Sequence, residues 1–421
     1  MLLPALLMFG CVPDETASSA SSGEDWIVLA PTGAGLYADE LDRLDWDIAA
    51  AQDRAADLPS SWTARSQLSV LWQQRARLSG DYGDYAEADA EMAEAFAIAP
   101  EGAGPFLARA RLSHTLHRFP DVAADLDAAA SAIIVDDPTQ SALDTARGNL
   151  AWQQGDYDGA VALVASATAL DASTASVAAA AHFDWRFADF STAEARFDDA
   201  AAMYVGTAAE PRAWVHLQRG LMDLERGRHD DALAHYLDAE AALPGYWLVH
   251  EHIAEILVLQ GRTDQARAIY DAVIADTDGP EFMDALAELE LEAGNLDAAE
   301  GWIDAARQRY ERDLARFPEA AAGHALGHFL TFGPTDRAIT LAEDNLALRD
   351  NAESRMWAAQ ALLADGDPDG AVVHIEVALD TPWTTAELHA TAASVYAALG
   401  EDTAARAQED AARALDPTSL D

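Results

Sequence analysis

The sequence predicts an all-α fold, an elongated α-solenoid of stacked helical hairpins, and three observations lead there. Half of the 421 residues are hydrophobic, alanine supplies much of that share and β-branched runs are sparse, a composition suited to closely packed helices. Alanine recurs at Ala88, Ala124, Ala160, Ala193, Ala232, Ala266, Ala299, Ala338, Ala371 and Ala405, at intervals of 33 to 39 residues. Eight of the ten stand five residues after a glycine, as in "GDYDGA" from Gly155. Ala124 and Ala193 have Phe119 and Ala188 in place of that glycine and mark the two degenerate units.

Each part of the unit has a physical role. Glycine at the end of the first helix adopts the left-handed turn that a side chain resists, and the Asp that often follows it caps the second helix. The alanine lies where two helices cross closely, so a larger residue would push them apart. Four and seven residues further on come an apolar and a small residue, as in Val164 with Ala167, Phe197 with Ala200, Tyr236 with Ala239, Tyr270 with Val273 and Ile375 with Ala378. These offsets put all three on one helical face. Pro100, Pro244 and Pro417 stop their second helices. The two 39-residue intervals contain "AAMYVGTAAEPR" and "RQRYERDLARFPEA", which lengthen a second helix or its exit loop.

Read in order, "MLLPALLMFGC" is an apolar run too short to span a bilayer, followed by the Ser/Ala/acid stretch "VPDETASSASSGED". It resembles a bacterial lipoprotein signal, with Gly10 before Cys11, the one cysteine of the chain. That resemblance implies a signal peptide over 1–10, a lipidated Cys11 and a flexible tether over 11–25. Residues 26–60 are expected to hold the short extended piece "WIVLAP" and a helical cap with Leu41, Leu44 and Ile48 at helical spacing. The solenoid is expected over 61–421.

From about Ser61 to Asp416 the punctuation resembles the tetratricopeptide repeat family, whose unit is close to 34 residues. The resemblance implies about ten units in a right-handed superhelix whose first helices line a concave groove. The family's groove positions fall on Asn149, Trp152 and Gln153, then His182, Trp185 and Arg186, then Trp214 and Glu225. Further along they fall on Glu251 and Glu255, then Glu288 and Glu292. The earlier half offers aromatic anchors and the later half carboxylates.

Charge narrows the partner. All 26 basic residues are Arg, Asp numbers 47 against 26 Glu, and the net charge is −47. Such a surface repels nucleic-acid phosphates and anionic lipid, and it attracts basic partners by long-range steering. The same composition also fits saline adaptation, in which case it implies no partner. Catalytic signatures are weak. His324 and His328 in "GHALGH" have a spacing that can ligate zinc, yet no Glu follows the first and no third ligand is near in sequence. His250, His252 and Glu255 in "HEHIAE" and the close pair His114 and His117 do not form a metalloprotease pattern either. "PTGAGLY" lacks the lysine and context of a phosphate loop. The expectation is therefore a non-catalytic scaffold or adaptor at the bacterial cell envelope, lipid-anchored on a periplasmic or outer-membrane face. It is expected to bind a protein or peptide, with basic character favoured, in its concave groove, without cofactor, metal or nucleic acid. The alternatives are a metal-dependent envelope enzyme using His324 and His328, and a rigid spacer with no specific ligand.

Overall fold

The computed structural model describes residues 26–131 and 135–420. The expected signal and Cys11 lie outside the described residues. Helix α1 (Gly35–Asp57) precedes ten helical hairpins. Units one to five pair α2 (Trp62–Ser79) with α3 (Tyr82–Ile98), α4 (Phe106–Thr115) with α5 (Phe119–Ala130), α6 (Asp137–Gln153) with α7 (Tyr157–Leu170), α8 (Thr174–Arg186) with α9 (Phe190–Met203), and α10 (Glu210–Leu224) with α11 (His229–Ala242). Units six to ten pair α12 (Trp247–Leu259) with α13 (Thr263–Thr277), α14 (Pro280–Glu292) with α15 (Leu296–Arg316), α16 (Pro318–Thr331) with α17 (Thr335–Leu348), α18 (Ala352–Ala364) with α19 (Pro368–Leu379), and α20 (Ala386–Ala398) with α21 (Asp402–Leu415). Among the described residues there is no strand, and the all-α solenoid is what forms.

The hairpins form for the reasons the sequence supplies. Gly155, Gly227, Gly261, Gly294, Gly366 and Gly400 all sit at left-handed φ between 66° and 81°. The carboxylates of Asp156 and Asp367 accept the amide hydrogens of Gly159 and Gly370, closing the first turns of α7 and α19. Nine of the ten alanines are buried at helix crossings, and in most units the residues four and seven further on are buried with them, as Val164 with Ala167 and Ile375 with Ala378. Gly148 on α6 shows how close the crossing is: a Cβ there would run into Val164 and the carbonyl of Ala160.

Three positions depart from the expected register. Ala124 is exposed, and Val122 takes the crossing position of the second unit. There His117 itself adopts the left-handed turn at φ 56°, five residues before Val122, so the unit lacks glycine but keeps its spacing. In the first unit the left-handed residue is Gly80, while Gly83 lies inside α3 behind the Asp81 cap. Gly333 stays outside the left-handed region. The two long intervals resolve differently: α15 runs for 21 residues, whereas α9 ends at Met203 and the extra chain forms an exit loop.

The superhelix then closes on itself. The amide of Thr384 donates to the Arg186 carbonyl at 2.9 Å, linking unit four to unit ten. Asn351 donates to the Gln153 carbonyl at 3.3 Å, and the Ala352 amide to the Tyr157 hydroxyl at 3.0 Å, linking three to nine. A ring nitrogen of His117 meets the Glu319 carbonyl at 3.1 Å, linking two to eight. Units six apart therefore touch, and the concave face becomes an interior.

Residues 26–34, outside any helix and with a turn at Thr32 and Gly33, cross to the sixth unit. The Gly33 amide donates to the Gly245 carbonyl at 3.0 Å, and the Tyr37 amide to that of Pro244 at 3.2 Å. The glycines of "PTGAGLY" thus make a backbone dock, with Gly33 and Gly35 at φ 75° and 66°.

Candidate functional site

The space between the two turns is a partly open pocket, walled by α6, α8 and α10 on one side and by α16, α18 and Trp383 on the other. Of the expected groove residues, Trp152, Gln153, His182, Trp185 and Arg186 meet here, joined by Trp357, Trp383, Arg349, Glu353, His117 and His324 from distant units. The sequence pattern placed them on an open face; the structure turns them inward. Trp152 is 7% exposed and stacks on Phe183 with centroids 4.3 Å apart, and Trp185 is 3% exposed. Neither is a free anchor for a partner laid along an outer groove. Each offers only the part of its ring that faces the cavity.

Electrostatics divide this cavity. Arg186 is buried, holds the Glu225 carboxylate through one guanidinium nitrogen at 2.7 and 2.9 Å, and lies 4.2 Å from the Trp185 ring centroid. Trp185 adds its indole N–H to the same carboxylate at 3.1 Å. Glu353 and Glu387 carry their charges near that pair, and Glu387 accepts from the Gln360 amide at 3.0 Å. Burial pushes Glu387 up to about 7, and the neighbouring Glu225 and Glu353 charges add to the shift. Burial likewise raises Glu225 despite Arg186. Among the described residues Arg186 is the one arginine in ion-pair contact with this trio. Arg349, buried over the Trp357 ring at 5.3 Å, donates to Asn345 and has no carboxylate in ion-pair contact among the described residues. Desolvation holds His117 and His182 well below the usual imidazole range, so both are neutral walls at pH 7.

The other expected groove residues lie elsewhere. Asn149 is half-buried on α6, and Trp214 packs beside Val177, Ala178 and Ala200 between units. Glu251 and Glu255 flank the ring of His252 at 3.1 and 3.2 Å, and burial carries Glu251 up to about 7. Glu288 is half-buried and Glu292 exposed on α14. His324 and His328 do not converge on one point. The first faces Glu281 at 3.3 Å and the second Asp284 at 2.8 Å, each as a His–carboxylate pair. His250 bridges Glu240 at 3.0 Å and Thr32 at 2.8 Å, tying down the N-terminal strap.

Arg349, Glu353, Trp357, Trp383 and Glu387 were missed by sequence reasoning. Only the inter-turn contact brings them to Trp152 and Arg186, and no local spacing signals that contact.

With this geometry in view, one stretch of the chain matches a known family. A family model described as tetratricopeptide repeat matches residues 223–285, from the end of α10 through α11, α12 and α13 to the start of α14. No curated protein matches the chain. Among solved structures it is similar to yeast Tom70, at 15% identity over 90% of this chain and 94% of that one, with a TM-score of 0.41. A tetratricopeptide repeat protein from Parabacteroides merdae shares 16% identity over 57% of this chain and 93% of its own, with a TM-score of 0.34. Pseudomonas aeruginosa pilF gives 16% identity, coverages of 57% and 91%, and a TM-score of 0.36. No functional correspondence follows from similarities of this size.

Proposed function

We propose that the protein is a non-catalytic binding scaffold whose inter-turn cavity receives a Lys or Arg side chain from a short basic segment of a partner protein. One observation carries this reading: Glu353 lines a tryptophan-walled pocket, Glu225 reaches its wall through Trp185 and Arg186, and Glu387 lies within electrostatic range of both, with Arg186 the one arginine in ion-pair contact with the three among the described residues. Carboxylates desolvated without matching cations are stabilised by an incoming cation, and the indole faces add cation–π attraction. The net charge of −47 steers such a segment toward the molecule from a distance. The four cavity tryptophans give the test its signal. A Lys/Arg-containing peptide is expected to change intrinsic fluorescence, to bind more weakly as salt rises, and to lose roughly tenfold in affinity in Glu353→Gln or Glu387→Gln. Binding indifferent to salt and to both substitutions, in variants that melt like the parent, would sink the reading.

The same proposal places the scaffold at a bacterial envelope, held by lipid on Cys11. Its support is the apolar run ending in Gly10-Cys11 and the Ser/Ala/acid stretch that follows. Expressed in a bacterium, the chain is expected in the membrane fraction and Cys11→Ser in the soluble one; a membrane-bound Cys11→Ser protein contradicts the anchor.

A further inference from the structure

Away from the cavity, the fifth hairpin brings two imidazoles and a carboxylate together. His216 lies on α10, and His235 and Asp238 lie on α11, three residues apart and hence on one helical face. Each side chain offers one donor atom, and the three atoms lie within 4.8 Å of one another. His216 Nδ1 stands 4.0 Å from Asp238 Oδ2. His216 Nδ1 and His235 Nδ1 are both buried atoms with no hydrogen-bond partner, which is costly unless something accepts their lone pairs.

The surroundings match what a metal ligand set requires. His235 turns its other ring nitrogen, Nε2, toward the buried carboxylate of Asp223 at 3.5 Å, and Arg228 and Arg226 hold that carboxylate at 3.3 and 3.4 Å. A carboxylate behind a ligating histidine fixes the ring and its tautomer. Desolvation lowers both histidines, leaving neutral imidazoles at pH 7. The nearby cation Arg219 is engaged by Asp198 at 2.5 Å. Asp238 is 64% exposed, so the site opens to solvent on one side and its carboxylate is free to swing. Metal–ligand bonds of about 2.0–2.2 Å place neighbouring donors roughly 3.0–3.4 Å apart, so the three donors, now within 4.8 Å of one another, close the set by drawing together through side-chain rotation.

In the other clusters the Nδ1 of each histidine already faces a carboxylate. His252 Nδ1 sits between two carboxylates, and His324 and His328 are each paired with one. We propose that His216, His235 and Asp238 bind a divalent first-row transition-metal ion of the zinc class, with Asp223 orienting His235. The sequence reading expects no metal and did not see this trio, because His216 and His235 are on different helices.

The test uses the full chain, stripped with chelator and dialysed, and titrated with Zn²⁺ by calorimetry and with Co²⁺ by absorption. One equivalent is expected, with a visible Co²⁺ spectrum and a melting temperature that rises with Zn²⁺ concentration. His216→Gln and His235→Gln should each weaken binding about 100-fold and Asp238→Asn about tenfold, the last on an exposed side chain that leaves packing intact. Absence of a saturable equivalent, or one unchanged in the doubly substituted His216→Gln/His235→Gln protein, overturns the proposal. So does an equivalent lost on His252→Gln instead, which would assign it to Glu251, His252 and Glu255.

Discussion

Ala160 has no exposed surface, and the same holds for the alanines of most other units, because two helix backbones pass where a larger side chain would stand. This column was legible in the sequence. Ala124 was not, since "DVAADL" offers alanines on several faces and the marker glycine is absent; His117, left-handed at φ 56°, was the hidden marker. A non-glycine residue takes that conformation uncommonly, so nothing in composition points to it. Titration belongs to this scale too. Burial, with Asp284 and Glu292 nearby, raises Glu288 from 4.5 to about 7. The folded chain therefore holds this proton more tightly than the unfolded one, and Glu288 destabilises progressively as pH rises from about 4.5 through 7. Glu288→Gln is expected to melt higher than the parent at pH 8, by on the order of 1–3 kcal/mol, with the advantage fading by pH 5. An advantage that is constant with pH would contradict this.

At the scale of elements, the hairpins were readable because each needs only its own turn, cap and apolar face. The strap of residues 26–34 was expected as a short extended piece before α1, and its docking was not legible. Gly245 has φ 89°, and a Cβ there would run into the carbonyl of Ala34. Gly245→Ala is expected to cost roughly 1–3 kcal/mol through backbone strain and the lost close approach. Hydrogen exchange should find faster exchange at the Gly33 and Tyr37 amides while α20 and α21 keep their protection. Unchanged exchange at those two amides would show that the dock does not depend on Gly245.

Over the whole molecule, closure changes the physics of the array. Stacked repeats ordinarily couple only to their neighbours. Here the Tyr157 hydroxyl accepts the buried amide of Ala352, 195 residues away. Tyr157→Phe leaves that amide without its partner, at a cost of about 1–3 kcal/mol. Protection should fall at the start of α18 as well as around α7. Loss confined to units two to four would mean that the turns are energetically independent.

The sequence by itself determined the helical units, their turns, their crossing alanines and the acidic surface, because each follows from contacts within some 40 residues. Only the tertiary structure decided that unit three meets unit nine and four meets ten. Curvature accumulates from small rotations between units, and from where a 21-residue α15 and a long exit loop after α9 fall. No single repeat contains that sum, and it alone turns an expected open groove into a cavity of tryptophans, arginines and carboxylates.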